Sequence, residues 1–261
     1  MRFFYRELGN PEARTIFIAH GWLGLSEHWL KFGEYLADSG FHVIIPDLPN
    51  HGRSFHTDMF SYDSMARFLH DFLSNHSFGK PILIGHSMGG KIIMKMADFY
   101  PQEYQCVIVV DILPKSYPEL CQRGSIADVI KQTKPELFRY RKDLLEHFRQ
   151  FVSDKGWLAL LMQNVENEHN VLKWRSNAPV LAEYMNEVAG SVELHKSSVP
   201  ALLIRGDRSE FTPMEDLDLF TSFYERSEIV TITNASHWVF VDRPAVFMKE
   251  IANYLERYSD L

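Results

Sequence analysis

Ser87 stands between two glycines in the run Pro81-Ile82-Leu83-Ile84-Gly85-His86-Ser87-Met88-Gly89-Gly90, where an apolar strand turns sharply into a helix. A turn this tight forces the serine into a strained backbone conformation. The positions two before and two after it then have room for little or no side chain. G-x-S-x-G is the spacing that results, and it presents a hydroxyl at the rim of a sheet. At average glycine and serine usage the bare pattern arises by chance in roughly one chain of this length in ten, so its surroundings carry the argument. Apolar positions lead into the turn, and Lys91 to Phe99 after it reads as a helix with Ile92, Ile93, Met96, Ala97 and Phe99 apolar. The competing reading is a plain glycine turn inside an α/β domain.

The rest of the chain supplies such a domain. Strand-like runs fall at Phe3 to Arg6, Thr15 to Ala19, His42 to Pro46, Ile82 to Gly85, Gln105 to Asp111, Ala201 to Arg205 and Ile229 to Ile232. Amphipathic helices separate most of them. One starts with Ser26 as N-cap and stops at Gly40, and others span Asp63 to Asn75, Pro213 to Tyr224 and Pro244 to Tyr254. Short, almost wholly apolar strands alternating with helices predict a mostly parallel, doubly wound sheet covered on both faces. Ligands of such sheets sit beyond the carboxyl ends of the strands.

From about Lys115 to Gly190 the strand signal vanishes and helices take over, at Pro135 to Ser153 and Trp157 to Val165. We therefore expect a core of residues 1–114 and 191–261 with a helical cap inserted at 115–190. Its aromatic side chains either face a substrate or fill the cap's own core.

A chain of 261 residues with 46% hydrophobic content can bury a full core. Its net charge of −7, with no cluster of lysines or arginines, argues against nucleic acid or an anionic membrane as partner. Small neutral or acyl substrates fit better. Two cysteines, Cys106 and Cys121, give no disulfide framework, and no apolar stretch approaches the roughly 20 residues that cross a bilayer. A cytoplasmic location is expected. Neither metal-ligand spacing nor a phosphate-binding glycine loop occurs, so no metal and no cofactor are expected.

A serine hydroxyl needs a base to take its proton and a third group to hold that base in the right tautomer. His237, in Asn234-Ala235-Ser236-His237-Trp238, follows the last strand and is the candidate base. His86 is expected to pack beside the nucleophile, and His51 and His56 to be solvated. Two backbone amides must meet the oxyanion. Met88 follows the nucleophile, and Trp22 lies in His20-Gly21-Trp22-Leu23-Gly24 after the second strand. Asp47 is read as a structural turn residue. For the acid, Asp111 ends an apolar strand and would be nearly buried, as the role demands; Asp207, in Arg205-Gly206-Asp207-Arg208-Ser209, is the alternative.

With these motifs in this order, the chain resembles the α/β-hydrolase superfamily over nearly its full length. Val109-Val110-Asp111-Ile112-Leu113-Pro114-Lys115-Ser116-Tyr117-Pro118 and Lys173-Trp174-Arg175-Ser176-Asn177 are similar to segments of the YbfF-type esterases and their abhydrolase-domain relatives. That resemblance implies hydrolysis of small carboxylic esters or acyl-CoA thioesters without a cofactor. It also implies an aspartate at Asp111 as the acid and a serine at Ser209 as a fourth member of the set, where many hydrolases of this fold carry the acid instead. Two other activities fit the same motifs: a lyase or C-C hydrolase, for which Arg53, Arg175 or Arg208 would face a substrate carboxylate, and a ligand-binding protein with negligible turnover.

Overall fold

The computed structural model describes residues 2–76, 78–122 and 124–257. Its first half runs β1 (Tyr5–Leu8), β2 (Thr15–Ala19), α1 (Leu30–Asp38), β3 (His42–Pro46), α2 (Tyr62–Asn75), β4 (Ile82–His86), α3 (Met88–Phe99) and β5 (Val107–Val110). A long excursion follows: α4 (Ile126–Gln132), α5 (Arg141–Arg149), α6 (Lys155–Gln163), a hairpin of β6 (Val165–Glu168) and β7 (Val171–Trp174), α7 (Ala178–Glu183) and α8 (Met185–Ala189). The chain then returns through β8 (Ala201–Gly206), α9 (Asp218–Phe223), β9 (Ser227–Ile232), α10 (Val239–Asp242) and α11 (Pro244–Arg257).

Seven strands form one sheet in the order β1-β3-β2-β4-β5-β8-β9, parallel throughout except for β1. The five central strands are buried at every position, as strands covered on both faces must be. Successive side chains point to opposite faces. Phe17, Leu83, Val107 and Leu203 pack on the side of α2 and α3, while Ile16, Ile84, Ile108 and Leu202 meet Phe32 of α1 and Ile251 of α11.

Several elements differ from the sequence reading. The first strand is Tyr5–Leu8, shifted toward the turn that precedes β2. Ser26 is not a side-chain cap: its N–H is taken by the Asp47 carboxylate at 2.8 Å, and a 3₁₀ turn precedes α1. The apolar run at Pro135 is broken into a 3₁₀ turn and α5, because the chain extends at Phe138 to lay that ring against His147, leaving Leu137 77% exposed. The excursion also holds the two-stranded hairpin, whose exposed residues are Glu166, Asn167, Glu168, Val171 and Lys173; with so few buried positions it does not stand out as a strand by apolar periodicity. Leu144, Phe148, Leu161 and Leu181 of the excursion are fully buried and continuous with the core on the α2 and α3 side. No helix among the described residues is long and apolar enough to cross a membrane.

The close approach of α3 to the sheet depends on glycine. A Cβ on Gly89 would lie 2.3 Å from the Ala19 carbonyl oxygen and 2.5 Å from that of His20, and one on Gly85 would lie 2.4 Å from the Gly89 carbonyl oxygen. None of these atoms is a flexible side-chain tip. Gly89→Ala must push α3 away from β2, and we expect it to cost about 1–3 kcal/mol, read as a lower denaturation midpoint with an unchanged slope.

Candidate active site

The sheet order reverses at β2, which has β3 on one side and β4 on the other. The crevice at such a point opens beyond the carboxyl ends of the two strands. Two strained residues stand there on neighbouring strands. His86, the last residue of β4, is level with Val110, the last of β5, so Ser87 and Asp111 are each the first residue past the sheet. Both have left-handed backbones, φ 54° at Ser87 and 53° at Asp111, a conformation that non-glycine residues adopt only when the surroundings enforce it. The enforcement is visible: Ser87 N–H donates to Val110 O at 3.0 Å and Asp111 N–H to Ile204 O at 2.8 Å. Each bond continues the ladder across a change of direction.

Asp111 is fully buried and its carboxylate accepts four hydrogen bonds. Oδ1 takes Gly206 N–H at 3.0 Å and the Thr212 hydroxyl at 2.8 Å; Oδ2 takes His237 Nδ1–H at 2.8 Å and the Ser209 hydroxyl. Burial alone would raise this carboxyl, but the bonds from His237 and Ser209 and the charge of the imidazole outweigh it and hold the group below the usual carboxylate range. Asp207 does not reach the imidazole. It is exposed and accepts Ala235 N–H at 3.3 Å, bracing the loop that carries His237.

The His237 ring is sandwiched. Phe211 stacks on it at 3.9 Å between centroids, and His86 lies 4.6 Å away with its Nε2 at 3.0 Å from the His237 carbonyl oxygen. That contact requires a proton on Nε2 of His86. Burial pushes the pKa of His86 down to about 3, so it packs as a neutral ring. Phe211 and Thr212 carry no motif; only the fold brings them to the imidazole and to Asp111.

Ser87 and His237 line a common cavity of about 190 Å³ with Trp22, Met88, Tyr62, Lys91, Tyr117 and Trp157. A smaller recess of about 30 Å³ on the other side of the serine is bounded by His20, Gly21, Trp22 and Trp238. The loop after β2 presses against the serine: a Cβ on Gly21 would stand 3.2 Å from Ser87 Cβ. Trp22 is held by its indole N–H, which donates to Leu181 O at 3.3 Å. Arg53, Arg175 and Arg208 line neither space. Arg53 covers the Phe4 ring, Arg175 pairs with Glu27 and Arg208 bonds Asn234. Burial pulls Lys91 down to about 7.

Two buried neutral histidines lock the loops around Ser87. His51, expected in solvent, is fully buried; its Nε2 accepts Leu23 N–H at 3.0 Å while Nδ1–H donates to Pro49 O at 2.9 Å. His20 does the same between Gly21 O and Leu48 N–H. The loop after β2 is thereby tied to the loop after β3, which Asp47 also closes by accepting Ser26 and Arg53 N–H. A loop histidine reads as solvated from sequence because both of its partners are backbone atoms, one of them 28 residues away.

These neutral rings make the fold acid-sensitive. Burial lowers the pKa of His51 to about 4, whereas an unfolded histidine takes its proton near pH 6.5. Below pH 6.5 the unfolded chain therefore binds more protons than the folded one, and stability falls with pH until about pH 4, where folded His51 protonates as well. The loss from His51 alone is about 3 kcal/mol. Denaturation midpoints measured from pH 7 to pH 4 should fall, with a shallower slope in His51→Gln, whose amide oxygen can still accept from Leu23.

A left-handed serine between strand and helix, a histidine on a late loop and a buried aspartate at the next strand's end define a hydrolase-type α/β architecture. The chain belongs to the alpha/beta hydrolase fold family, which it matches over residues 14–244. It is 26% identical over 254 residues to the sn-1-specific diacylglycerol lipase ABHD11 of Danio rerio, covering 95% of this chain and 80% of that protein. To the esterase YbfF of Escherichia coli K12 it is 26% identical over 241 residues, 92% of each chain. Among solved structures it is similar to a marine microorganism esterase, with a TM-score of 0.91, 28% identity and coverage of 96% of this chain and 98% of that one.

Proposed function

We propose that this hydrolase cleaves small carboxylic esters or acyl thioesters through an acyl-serine intermediate. The observation that carries the reading is the 2.8 Å bond between His237 Nδ1 and fully buried Asp111, with His237 and Ser87 facing one cavity. Asp111 fixes the proton on Nδ1, which leaves Nε2 free to accept the Ser87 proton as Oγ attacks the acyl carbon. Backbone N–H groups of Met88 and Trp22 receive the oxyanion. His237 returns the proton to the departing alcohol or thiol, then takes one from water, which releases the acid and regenerates the serine. Ser209 and Thr212 hold the carboxylate in place. Every step uses side chains and amides of this chain and water. The segment 115–190 serves as a cap over the cavity.

The relatives' names support acyl-ester chemistry: two are called esterases and one a lipase. The lyase or C-C hydrolase reading needs a cation for a substrate carboxylate; Arg53, Arg175 and Arg208 are engaged elsewhere, and Lys91, which does line the cavity, gives its Nζ donors to Lys115 O and Gly190 O. The test is a panel of nitrophenyl esters of increasing chain length alongside acyl-CoA thioesters, with fluorophosphonate labelling of the intact protein. Turnover together with a single adduct at Ser87 supports the proposal. An adduct without turnover on any substrate favours a ligand-binding protein, and neither adduct nor turnover overturns the site.

A further inference from the structure

Lys91 lies four residues past Ser87 on α3, in the turn that begins at the elbow, and its backbone N–H donates to Ser87 O at 3.2 Å. Its side chain is 1% exposed, although lysines nearly always keep the ammonium in water. Nζ donates to Lys115 O at 2.8 Å and to Gly190 O at 2.6 Å. It sits over the rings of Tyr117 and Tyr62, 4.7 and 5.6 Å from their centroids. The two acceptors are 24 and 99 residues away in sequence, and they mark the places where the chain leaves the sheet core after β5 and where it comes back before β8. These crossings run side by side: Tyr117 N–H donates to Ala189 O at 2.8 Å and Val192 N–H to Pro114 O at 3.0 Å.

We propose that Lys91 is a positioning residue whose Nζ donors tie both crossings of the inserted segment to the first turns of the helix that carries Ser87, and so set the width of the cavity beside the serine. The proposal rests on the reading of Ser87 as nucleophile. A buried amine stripped of both acceptors leaves its donors unpaired, which is unfavourable in either protonation state, and in the protonated state the two bonds are charge-assisted as well. The crossings therefore cannot swing outward without stranding the lysine. Tyr117, Leu120 and Ile126 follow the first crossing, Met185 and Val188 precede the second, and all five line the cavity. A small change of angle at the crossings moves both walls. Tyr62 adds a tie at the same place, its hydroxyl donating to Val188 O at 2.6 Å.

Lys91→Met retains most of the side-chain volume and removes the donors. Hydrogen exchange at the Tyr117 and Val192 amides should rise by about tenfold or more, while amides within β4 and β5 stay protected. On nitrophenyl esters from acetate to decanoate, KM for the best substrate should rise by about tenfold with kcat falling less than about threefold, and the chain-length preference should flatten. Lys95→Met is the control. Its Nζ donates to Glu193 O and pairs with Asp63 and Asp98 away from the cavity, so this change should lower the melting temperature and leave the chain-length profile as it was. Unchanged exchange at the crossings in Lys91→Met, or equal effects from Lys95→Met, would overturn the proposal. Should Lys91→Met fail to fold, Tyr62→Phe must raise exchange at the same amides to a smaller degree, and no change there is equally fatal. If the unaltered protein shows neither ester turnover nor labelling at Ser87, the catalytic reading fails, while the exchange measurement still decides whether Lys91 holds the crossings.

Discussion

Ser87→Ala is expected to reduce ester turnover by about 10⁴-fold or more while leaving the fold intact, and His237→Ala to do nearly the same. The two losses should not add, because the hydroxyl without its base and the base without its hydroxyl are each close to useless. Stability separates this loss from unfolding. Alanine is strained at φ 54° as serine is, so Ser87→Ala should unfold at nearly the same denaturant concentration. Ser87→Gly removes the strain of that backbone and should gain about 1 kcal/mol while remaining inactive. A stabilised, dead glycine variant would show that the elbow's strain is maintained for the position of one hydroxyl. Turnover within tenfold of the unaltered protein in Ser87→Ala would remove the nucleophile from the mechanism.

The parts of this molecule that could be read from sequence are those whose cause is local. The elbow is legible because the crowding at Gly85 comes from Gly89, four residues on, although Gly89 itself is crowded by the Ala19 and His20 carbonyls of a distant strand end. The parallel sheet is legible because strands buried on both faces are apolar at nearly every position. His237 follows from chain order and its place after the last strand. What escaped is long-range. Thr212 reaches Asp111 across about a hundred residues, Phe211 meets His237 only once both loops are folded, and His51 is buried because Leu23 supplies a donor from a different loop. The hairpin at Val165–Glu168 and Val171–Trp174 was hidden because so few of its positions are buried. Nothing in the sequence around Lys91 announces two carbonyls arriving from the far sides of the inserted segment.

Asp111→Asn should lower kcat by about 10³ to 10⁴-fold, and the reason is the direction of the hydrogen bonds around the carboxylate. Gly206 N–H, the Thr212 hydroxyl and the Ser209 hydroxyl all donate to it, as does His237. An asparagine oxygen can satisfy the Oδ1 pair, which leaves the amide NH₂ facing Ser209 and His237. The imidazole must then accept on Nδ1 and carry its proton on Nε2, the tautomer that cannot take a proton from Ser87. Asp207→Asn changes far less: the residue is exposed, and an amide oxygen still accepts from Ala235 N–H. Its kcat should fall by less than about threefold, within the range of an ordinary surface substitution. Because the bonds from His237 and Ser209 hold the Asp111 carboxyl below the usual range against the effect of burial, protonation of this aspartate should not appear in the acid limb of kcat/KM within the ordinary carboxylate range. Ser209→Ala and Thr212→Val, by removing donors, should bring it into view by letting the carboxyl rise. Equal losses at Asp111 and Asp207, or a larger one at Asp207, would transfer the orienting role to the exposed carboxylate and require the loop bearing His237 to move.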